Sequence, residues 1–149
     1  MDINTIIRVV EGHAAKLAGR WLERLRKEEG MMEAYLRVPE ADLLAHIRAA
    51  YEEIGLYLDQ PRHPIIVEHF RATGRNRRKE GVPLVEVVRA VQLARSTLWQ
   101  YILEQGVLDS TVNLYQALNL FRQIVAFFDC AAIFAVEGYQ EEGEGDAER

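Results

Sequence analysis

Cysteine is nearly absent from this sequence, since Cys130 is the only one in 149 residues. One cysteine excludes an intramolecular disulfide and a cysteine-rich zinc site. Proline is also scarce, with four residues, and no segment alternates apolar and polar residues as a half-buried strand does. Hydrophobic residues make up 49% and charged residues 28%, which excludes disordered and fibrous chains. The length is that of one domain.

Long hydrophobic runs are absent as well. The most apolar stretch, 124–136, has 13 residues and contains Asp129, whereas a membrane span needs about 20. Residues 1–10 contain Asp2 and Arg8 and lack the apolar core of a signal peptide. The sequence therefore predicts a soluble, cytoplasmic protein without a membrane partner.

Acidic residues outnumber basic ones, 23 to 18, for a net charge of −5, which argues against a nucleic-acid binder. The excess is concentrated at the C-terminus, where residues 137–149 contain six acids and one base. The rest of the chain is charge-balanced. Because 138–149 is rich in glycine and glutamate, we expect a helical domain over 1–137 followed by a disordered acidic tail over 138–149.

Apolar residues recur at helical spacing, and prolines and glycines divide the chain into helix-like blocks. The last block has Asp109 or Ser110 as its N-cap and ends near Gly138. The predicted helices are about 4–29, 40–59, 65–79, 83–105 and 110–138. The fold class is therefore all-α, a bundle of five or six helices.

The last predicted helix is apolar on two faces. One face, which we call the seam, has apolar residues that are alternately four and three positions apart. They are Leu114, Leu118, Phe121, Val125, Phe128, Ala132 and Ala135. The other contains Leu120, Ile124, Phe127, Ala131 and Phe134. Such a helix either lies at the centre of the core or is shared with a second copy. We expect a homodimer through Leu118, Phe121, Val125 and Phe128, with a central core helix as the alternative.

The sequence lacks the motifs of enzymes and metal sites. The four histidines form no HExxH pair and no Cys/His cluster. Cys130 lies among apolar residues and beside Asp129, surroundings that do not activate a thiol. No serine nucleophile elbow or glycine-rich phosphate loop is present. We therefore expect a protein that is not an enzyme and has no cofactor or metal ion.

His69 is the histidine best placed to be an axial heme ligand, because Ile65, Ile66 and Phe70 lie beside it. A hydrogen-bonded histidine at the edge of the core produces the same pattern. A globin-like sensor or carrier of heme or another cofactor is therefore the alternative function.

Two charged residues lie on apolar helix faces. Arg95 falls within about 20° of the centre of the apolar stripe of its helix, and Asp129 lies at the edge of the seam. A buried charge costs several kcal/mol unless it is paired. Arg95 and Asp129 therefore pair with each other or line a polar ligand pocket, or Arg95 reaches the rim with its stem buried.

A basic segment lies directly before Gly81-Val82-Pro83. It contains Arg71, Arg75, Arg77, Arg78 and Lys79. Cations are favoured at a helix C-terminus, so the segment is either a solvated helix end or a docking patch for an acidic partner or phosphate. No aromatic residue lies between these charges, which does not fit the stacking of single-stranded nucleic acid.

Several short segments form a pattern along the chain. They are Ala18-Gly19-Arg20-Trp21-Leu22, Val38-Pro39-Glu40, Gly74-Arg75-Asn76-Arg77, Gly81-Val82-Pro83-Leu84, Leu93-Ala94-Arg95 and Leu98-Trp99. This pattern resembles the N-terminal sensor domain of RsbR-type RsbT co-antagonists. Its parts are Gly-Arg-x-Arg, a helix that starts at Gly-x-Pro-Leu, and an Arg and a Leu-Trp pair in the helix that follows. The similarity covers most of residues 6–136.

The resemblance implies a globin-like helical domain that binds no heme, dimerises through its C-terminal helices and passes a signal to an output module. In the stressosome that module is a STAS domain phosphorylated by a partner kinase. The 149 residues have no room for such a module. The resemblance therefore implies a stand-alone, stressosome-like sensor domain, or one that acts on a separate signalling protein.

Overall fold

The computed structural model describes residues 2–28, 30–106 and 111–148, with side chains described at 114–145 in the last range. These residues form seven α-helices and one 3₁₀ turn and contain no strand, which confirms the all-α fold class. The elements are α1 (Ile3–Gly12), α2 (Ala14–Lys27), the 3₁₀ turn (Tyr35–Arg37), α3 (Glu40–Glu52), α4 (Ile54–Asp59), α5 (Pro64–Lys79), α6 (Leu84–Glu104) and α7 (Thr111–Glu148). The N-cap predicted at Asp109 or Ser110 lies outside the described residues.

Two of the predicted helices are each divided in the structure, which is why the described helices exceed the five or six expected. The first breaks at His13 and the second at Glu53, where ψ is 23° at both residues and the helical ladder is interrupted. At the first break, His13 Nδ1 lies 2.5 Å from the hydroxyl of Tyr101 on α6. The apolar periodicity continues across both breaks, so the sequence pattern did not reveal them.

The core is continuous and receives residues from all seven helices. Two buried aromatic residues fix the packing around α6 with their polar atoms. The indole N–H of Trp21 donates to the carbonyl oxygen of Ala90 at 2.9 Å, and the hydroxyl of Tyr51 donates to that of Ala94 at 2.8 Å. Because both acceptors lie on α6, these bonds hold α2 and α3 against adjacent turns of one helix.

The last helix does not end near Gly138 but continues to Glu148. Its C-terminal part packs against α5, and the hydroxyl of Tyr139 donates to the carbonyl oxygen of Val82 at 2.7 Å. The prediction of a disordered tail from residue 138 is therefore wrong for the described part of that segment. The glycine and glutamate content was misleading because Gly138 is in backbone contact with α5 and Glu141 lies 3.7 Å from Arg75 of α5.

The backbones of α5 and α7 touch at two buried glycines. A Cβ atom on Gly74 would lie 1.9 Å from the carbonyl oxygen of Ala135, and one on Gly138 would lie 2.0 Å from that of Arg71. Cβ atoms do not approach other atoms this closely, so any larger residue at either position must separate the two helices. The close approach depends on glycine at both positions.

One described helix is long and apolar enough to cross a membrane by length and composition, over Leu114–Gly145. In its most apolar window 39% of the residues are buried in the protein. The core helix of a soluble protein also meets this criterion, so the finding is weak evidence for a membrane span.

Replacing Gly138 by alanine tests the helix contact. We expect Gly138→Ala to lower the free energy of unfolding by about 3 kcal/mol, because the added methyl overpacks a rigid backbone contact. The measurement is urea-induced unfolding followed by circular dichroism. The control is Gly19→Ala within α2, where no atom lies within 4 Å of the added Cβ. That variant should gain about 0.5–1 kcal/mol from helix propensity, and equal stability of the two variants would contradict the contact.

Candidate functional site

The first half of α7 has an exposed apolar surface. The large hydrophobic residues exposed on this helix are Leu114, Tyr115, Leu118, Phe121 and Ile133. The ring of Phe121 packs against Trp99 of α6 with 4.8 Å between the ring centroids, and the exposed Leu103 also belongs to α6. Several large apolar side chains exposed on one helix are a feature of protein interaction sites.

The predicted dimer residues lie in two environments. Leu118 is 61% exposed, Phe121 is exposed and Val125 is half-buried, so these three are accessible on the protomer. Phe128 is 3% exposed and packs against Phe127, so its assignment to an outer face is wrong. The 4/3 seam drifts around the straight helix, which carries its C-terminal members into the core.

The second predicted face of α7 is the core face. Its members Leu120, Ile124, Phe127, Ala131 and Phe134 are all buried within the protomer. The alternative of a central core helix therefore applies to this face, and the homodimer stays a prediction. One face fills the core, and another face exposes apolar side chains at the surface.

Arg95 and Asp129 come together in the fold. Nη1 of Arg95 lies 4.0 Å from Oδ1 of Asp129, and their side chains are 37% and 64% exposed. The pair joins α6 to α7 at the surface, so the expectation of a buried pair is wrong. At this distance and exposure it contributes about 0–1 kcal/mol to stability. Arg95 reaches the rim of the protein, and its helix buries Ala94 and Leu98 on either side.

The acidic groups that face the basic segment belong to the same chain. Arg71 donates from Nη2 to Oε2 of Glu137 at 2.5 Å. Arg75 pairs with Glu68 of its own helix, and its Nη1 lies 3.7 Å from Oε2 of Glu141. Two of the cations in the predicted docking patch are thus paired with acids of α7.

Arg77 and Arg78 are also engaged within the protomer. Arg77 is 5% exposed, lies over the ring of Tyr35 at 5.7 Å and has Nε 3.0 Å from Oε2 of Glu80. Arg78 lies over the ring of Tyr139 at 4.8 Å. Burial raises the pKa of Tyr35 to about 12, with the nearby guanidinium of Arg77 acting in the opposite direction. The basic segment therefore contributes mainly to the docking of α7 and of the 3₁₀ turn.

A pair of stacked histidines was not anticipated from the sequence. The rings of His46 on α3 and His69 on α5 are parallel within 7°, with 3.8 Å between centroids. Nε2 of His46 shares a hydrogen bond with the hydroxyl of Thr73, which also donates to the carbonyl oxygen of His69 at 3.0 Å. Nε2 of His69 is buried without a hydrogen-bond partner.

The surroundings of both histidines disfavour the protonated ring. Burial is the main cause that lowers the pKa of His46 to about 3, and the adjacent His69 and Arg77 act in the same direction. Burial also lowers the pKa of His69. Two cationic rings in face-to-face contact would repel each other, so stacking and neutrality are mutually consistent.

Two spaces border the histidine pair. The enclosed cavity lined by His46, Phe70 and Phe128 has a volume of about 10 Å³, enough for one water molecule. On the solvent side, His46 and His69 border an open groove of about 380 Å³ whose other walls are mostly polar, with Asn76 and Glu80 among them. A heme binds in a large apolar pocket, whereas the groove that His69 borders is open and mostly polar.

The described residues contain no cluster of three or more His, Cys, Asp or Glu side chains arranged for a metal ion. Cys130 is half-buried as a free thiol on α7.

A groove of about 420 Å³ lies between α2 and α3. Arg48 and Glu52 lie on its wall, and its apolar lining includes Ala15, Ala18, Gly19, Leu44 and Ala49. Its chemistry suits the binding of an apolar group.

The histidine pair predicts a pH-dependent stability. Below pH 6.5 the unfolded chain binds a proton at His46 that the folded chain does not bind until about pH 3, so stability falls as the pH is lowered through this range. Between pH 6.5 and 5 we expect His46 to account for a loss of about 2 kcal/mol. Urea unfolding of the wild type and His46→Gln at pH 7 and pH 5 measures it. An equal loss in both proteins would contradict this assignment.

A scan against protein families matches residues 15–149 to the family described as the RsbT co-antagonist protein rsbRD N-terminal domain. Searches of curated proteins and of solved structures found no significant match. The match includes α3, α5, α6 and α7 and all of α2 except its first residue, so it covers the paired arginines, the stacked histidines and the exposed face of α7. The chain therefore belongs to the family of RsbT co-antagonist N-terminal domains, which are regulatory domains of a signalling system.

Proposed function

We propose that this chain is a non-enzymatic regulatory module in signal transduction, a cytoplasmic sensor-like domain that works as a homodimer and binds a partner protein or a small ligand without heme. The family match over residues 15–149 is the observation that carries this proposal. The partner is a signalling protein, either a separate chain or an output module, rather than nucleic acid or a membrane. The globin-like topology implied by the family resemblance belongs to the same proposal.

The homodimer is supported by the unpartnered apolar residues of α7. Leu118 and Tyr115 are 61% and 78% exposed, which leaves two large side chains in water on one helix. Burying apolar surface stabilises by about 25 cal/mol per Å², so covering these residues favours association. Leu103 and Trp99 of α6 extend the same surface.

The regulatory role is also consistent with the grooves of the protein. The apolar groove between α2 and α3 is bordered by Arg48, whose Nε donates to Oε1 of Glu52 at 2.7 Å. A small molecule with an apolar body, or one side chain of a partner, suits such a groove. Binding there would act on the α2–α3 contact.

The homodimer is tested by multi-angle light scattering. The wild type should have about twice the monomer mass, and Leu118→Glu should shift it towards the monomer, because the glutamate would be buried unpaired in the interface. Gln116→Glu is the matched control, since Gln116 is exposed on the same helix but lies far from Leu118 around its axis. A wild type that is monomeric at high concentration would contradict the homodimer.

A visible absorption spectrum tests the heme alternative. We expect no Soret band at about 400 nm in protein purified from cells supplied with a heme precursor, because the groove that His69 borders is open and mostly polar. His69→Ala serves as the comparison. A Soret band in the wild type that disappears in this variant would replace the present proposal with a heme sensor.

A further inference from the structure

The last ten described residues of α7 differ from the rest of the helix. We call residues 139–148 the acidic clasp. Beyond Gly138, none of the side chains that the structure describes, up to residue 145, is buried. Tyr139 packs at the edge of the core, and its hydroxyl donates to the carbonyl oxygen of Val82 at 2.7 Å. Residues 140–145 contain no hydrophobic side chain, so this part of the helix is held by polar contacts.

Two arginines of α5 make these contacts. Nη1 of Arg75 lies 3.7 Å from Oε2 of Glu141, and the guanidinium of Arg78 lies over the ring of Tyr139 at 4.8 Å. The same guanidinium lies against Gly143, where a Cβ atom would be 2.6 Å from its Cζ. The side chains of Arg75 and Glu141 are 28% and 50% exposed. Because these contacts face solvent, an external anion can compete for them.

The sequence of the acidic clasp opposes helix formation. It contains two glycines, and in a helix interior only proline is less favourable than glycine. It also contains five acids and no base. Glu142 and Asp146 are four positions apart, as are Glu144 and Glu148, and like charges at this spacing repel each other in a helix. Since α7 nevertheless continues to Glu148, the helical state of the clasp depends on the cations of α5.

The pairing of α5 with α7 indicates which ligand fits these cations. Nη2 of Arg71 lies 2.5 Å from Oε2 of Glu137, and Arg75 meets Glu141 in the same way one turn later. Two basic positions four residues apart therefore face two acidic positions four residues apart. A helix from another protein with acids at this spacing matches the same surface.

An external acidic helix can also reach a cation that the clasp does not engage. Lys79 is exposed at the end of α5, and it has no ion pair within the described part of the chain. It lies four positions after Arg75 and next to Arg78, so these three cations share one side of α5. We call them the basic docking surface. A partner segment can pair with all three, whereas the clasp engages only Arg75 and Arg78.

We propose that the acidic clasp is a displaceable cover of the basic docking surface, and that an acidic helical segment of the partner protein takes its place. The clasp is helical while it covers the arginines and loses its helix when the partner segment binds. The core is retained in this exchange, because the buried residues of α7 lie before the clasp. The inference rests on the proposed function, since it gives the binding surface and the chemistry of the partner.

Hydrogen exchange of the full-length protein tests whether the clasp depends on these cations. In Arg75→Gln/Arg78→Gln, amides of the clasp should exchange at least about fivefold faster than in the wild type, while those of α7 before Gly138 stay unchanged. The matched control is Arg26→Gln/Arg48→Gln, which removes two exposed, ion-paired arginines elsewhere. Unchanged exchange in the clasp, or equal acceleration in the control, would overturn the inference.

Peptide binding tests the docking surface. The probe is a fluorescent peptide with the sequence of residues 137–148, and anisotropy measures its binding to full-length protein. Glu141→Gln, at an exposed position, should bind it at least about threefold more tightly, because the clasp then competes less well. Lys79→Gln should bind it at least about threefold more weakly, since one cation of the surface is lost. Lys16→Gln, at an exposed lysine of α2, is the control for the change in net charge.

Two results would overturn the docking surface. One is equal peptide affinity in the wild type, Glu141→Gln and Lys79→Gln. The other is inorganic phosphate that displaces the labelled peptide as effectively as unlabelled peptide does, which would assign the cations to a phosphate site. Both results leave the proposed function standing. A Soret band or a monomeric wild type contradicts the proposed function instead, so the two failures are distinguishable.

Discussion

The contact between the backbones of α5 and α7 is the constraint on which much of the structure depends. Gly74 and Gly138 allow the two helices to meet without an intervening side chain. At that separation, Arg71 and Arg75 of α5 reach Glu137 and Glu141 of α7. These ion pairs are exposed and individually weak, but the glycine contact keeps them in register.

The position of α7 also determines which of its apolar faces are available. One face is used to fill the core, where Leu120, Ile124 and Phe127 are buried. In the same turns, side chains that point away from the core, such as Leu118 and Tyr115, are exposed. A regulatory domain needs a surface through which it can communicate with other chains, and this helix joins such a surface to the core of the protomer.

The histidine pair shows how polar groups can be placed at the edge of a helical core. His46 and His69 are held neutral mainly by burial, and the hydroxyl of Thr73 links the two helices through their hydrogen-bonding groups. A site that resembles a cofactor pocket in the sequence is thus part of the packing between α3 and α5.

The sequence alone determined the all-α class, because apolar spacing and the Gly/Pro breaks depend only on local order along the chain. It also singled out Arg95 and Asp129, because both fall on or beside apolar stripes, but left open whether they pair, line a pocket or reach the rim. Tertiary structure decided the rest. Three features depend on how the helices pack. They are the burial of Phe128, the contact between Glu141 and Arg75, and the stacking of two histidines that are 23 residues apart. Periodicity gives the faces of a helix but not the neighbour that covers each face, because that neighbour is distant in sequence.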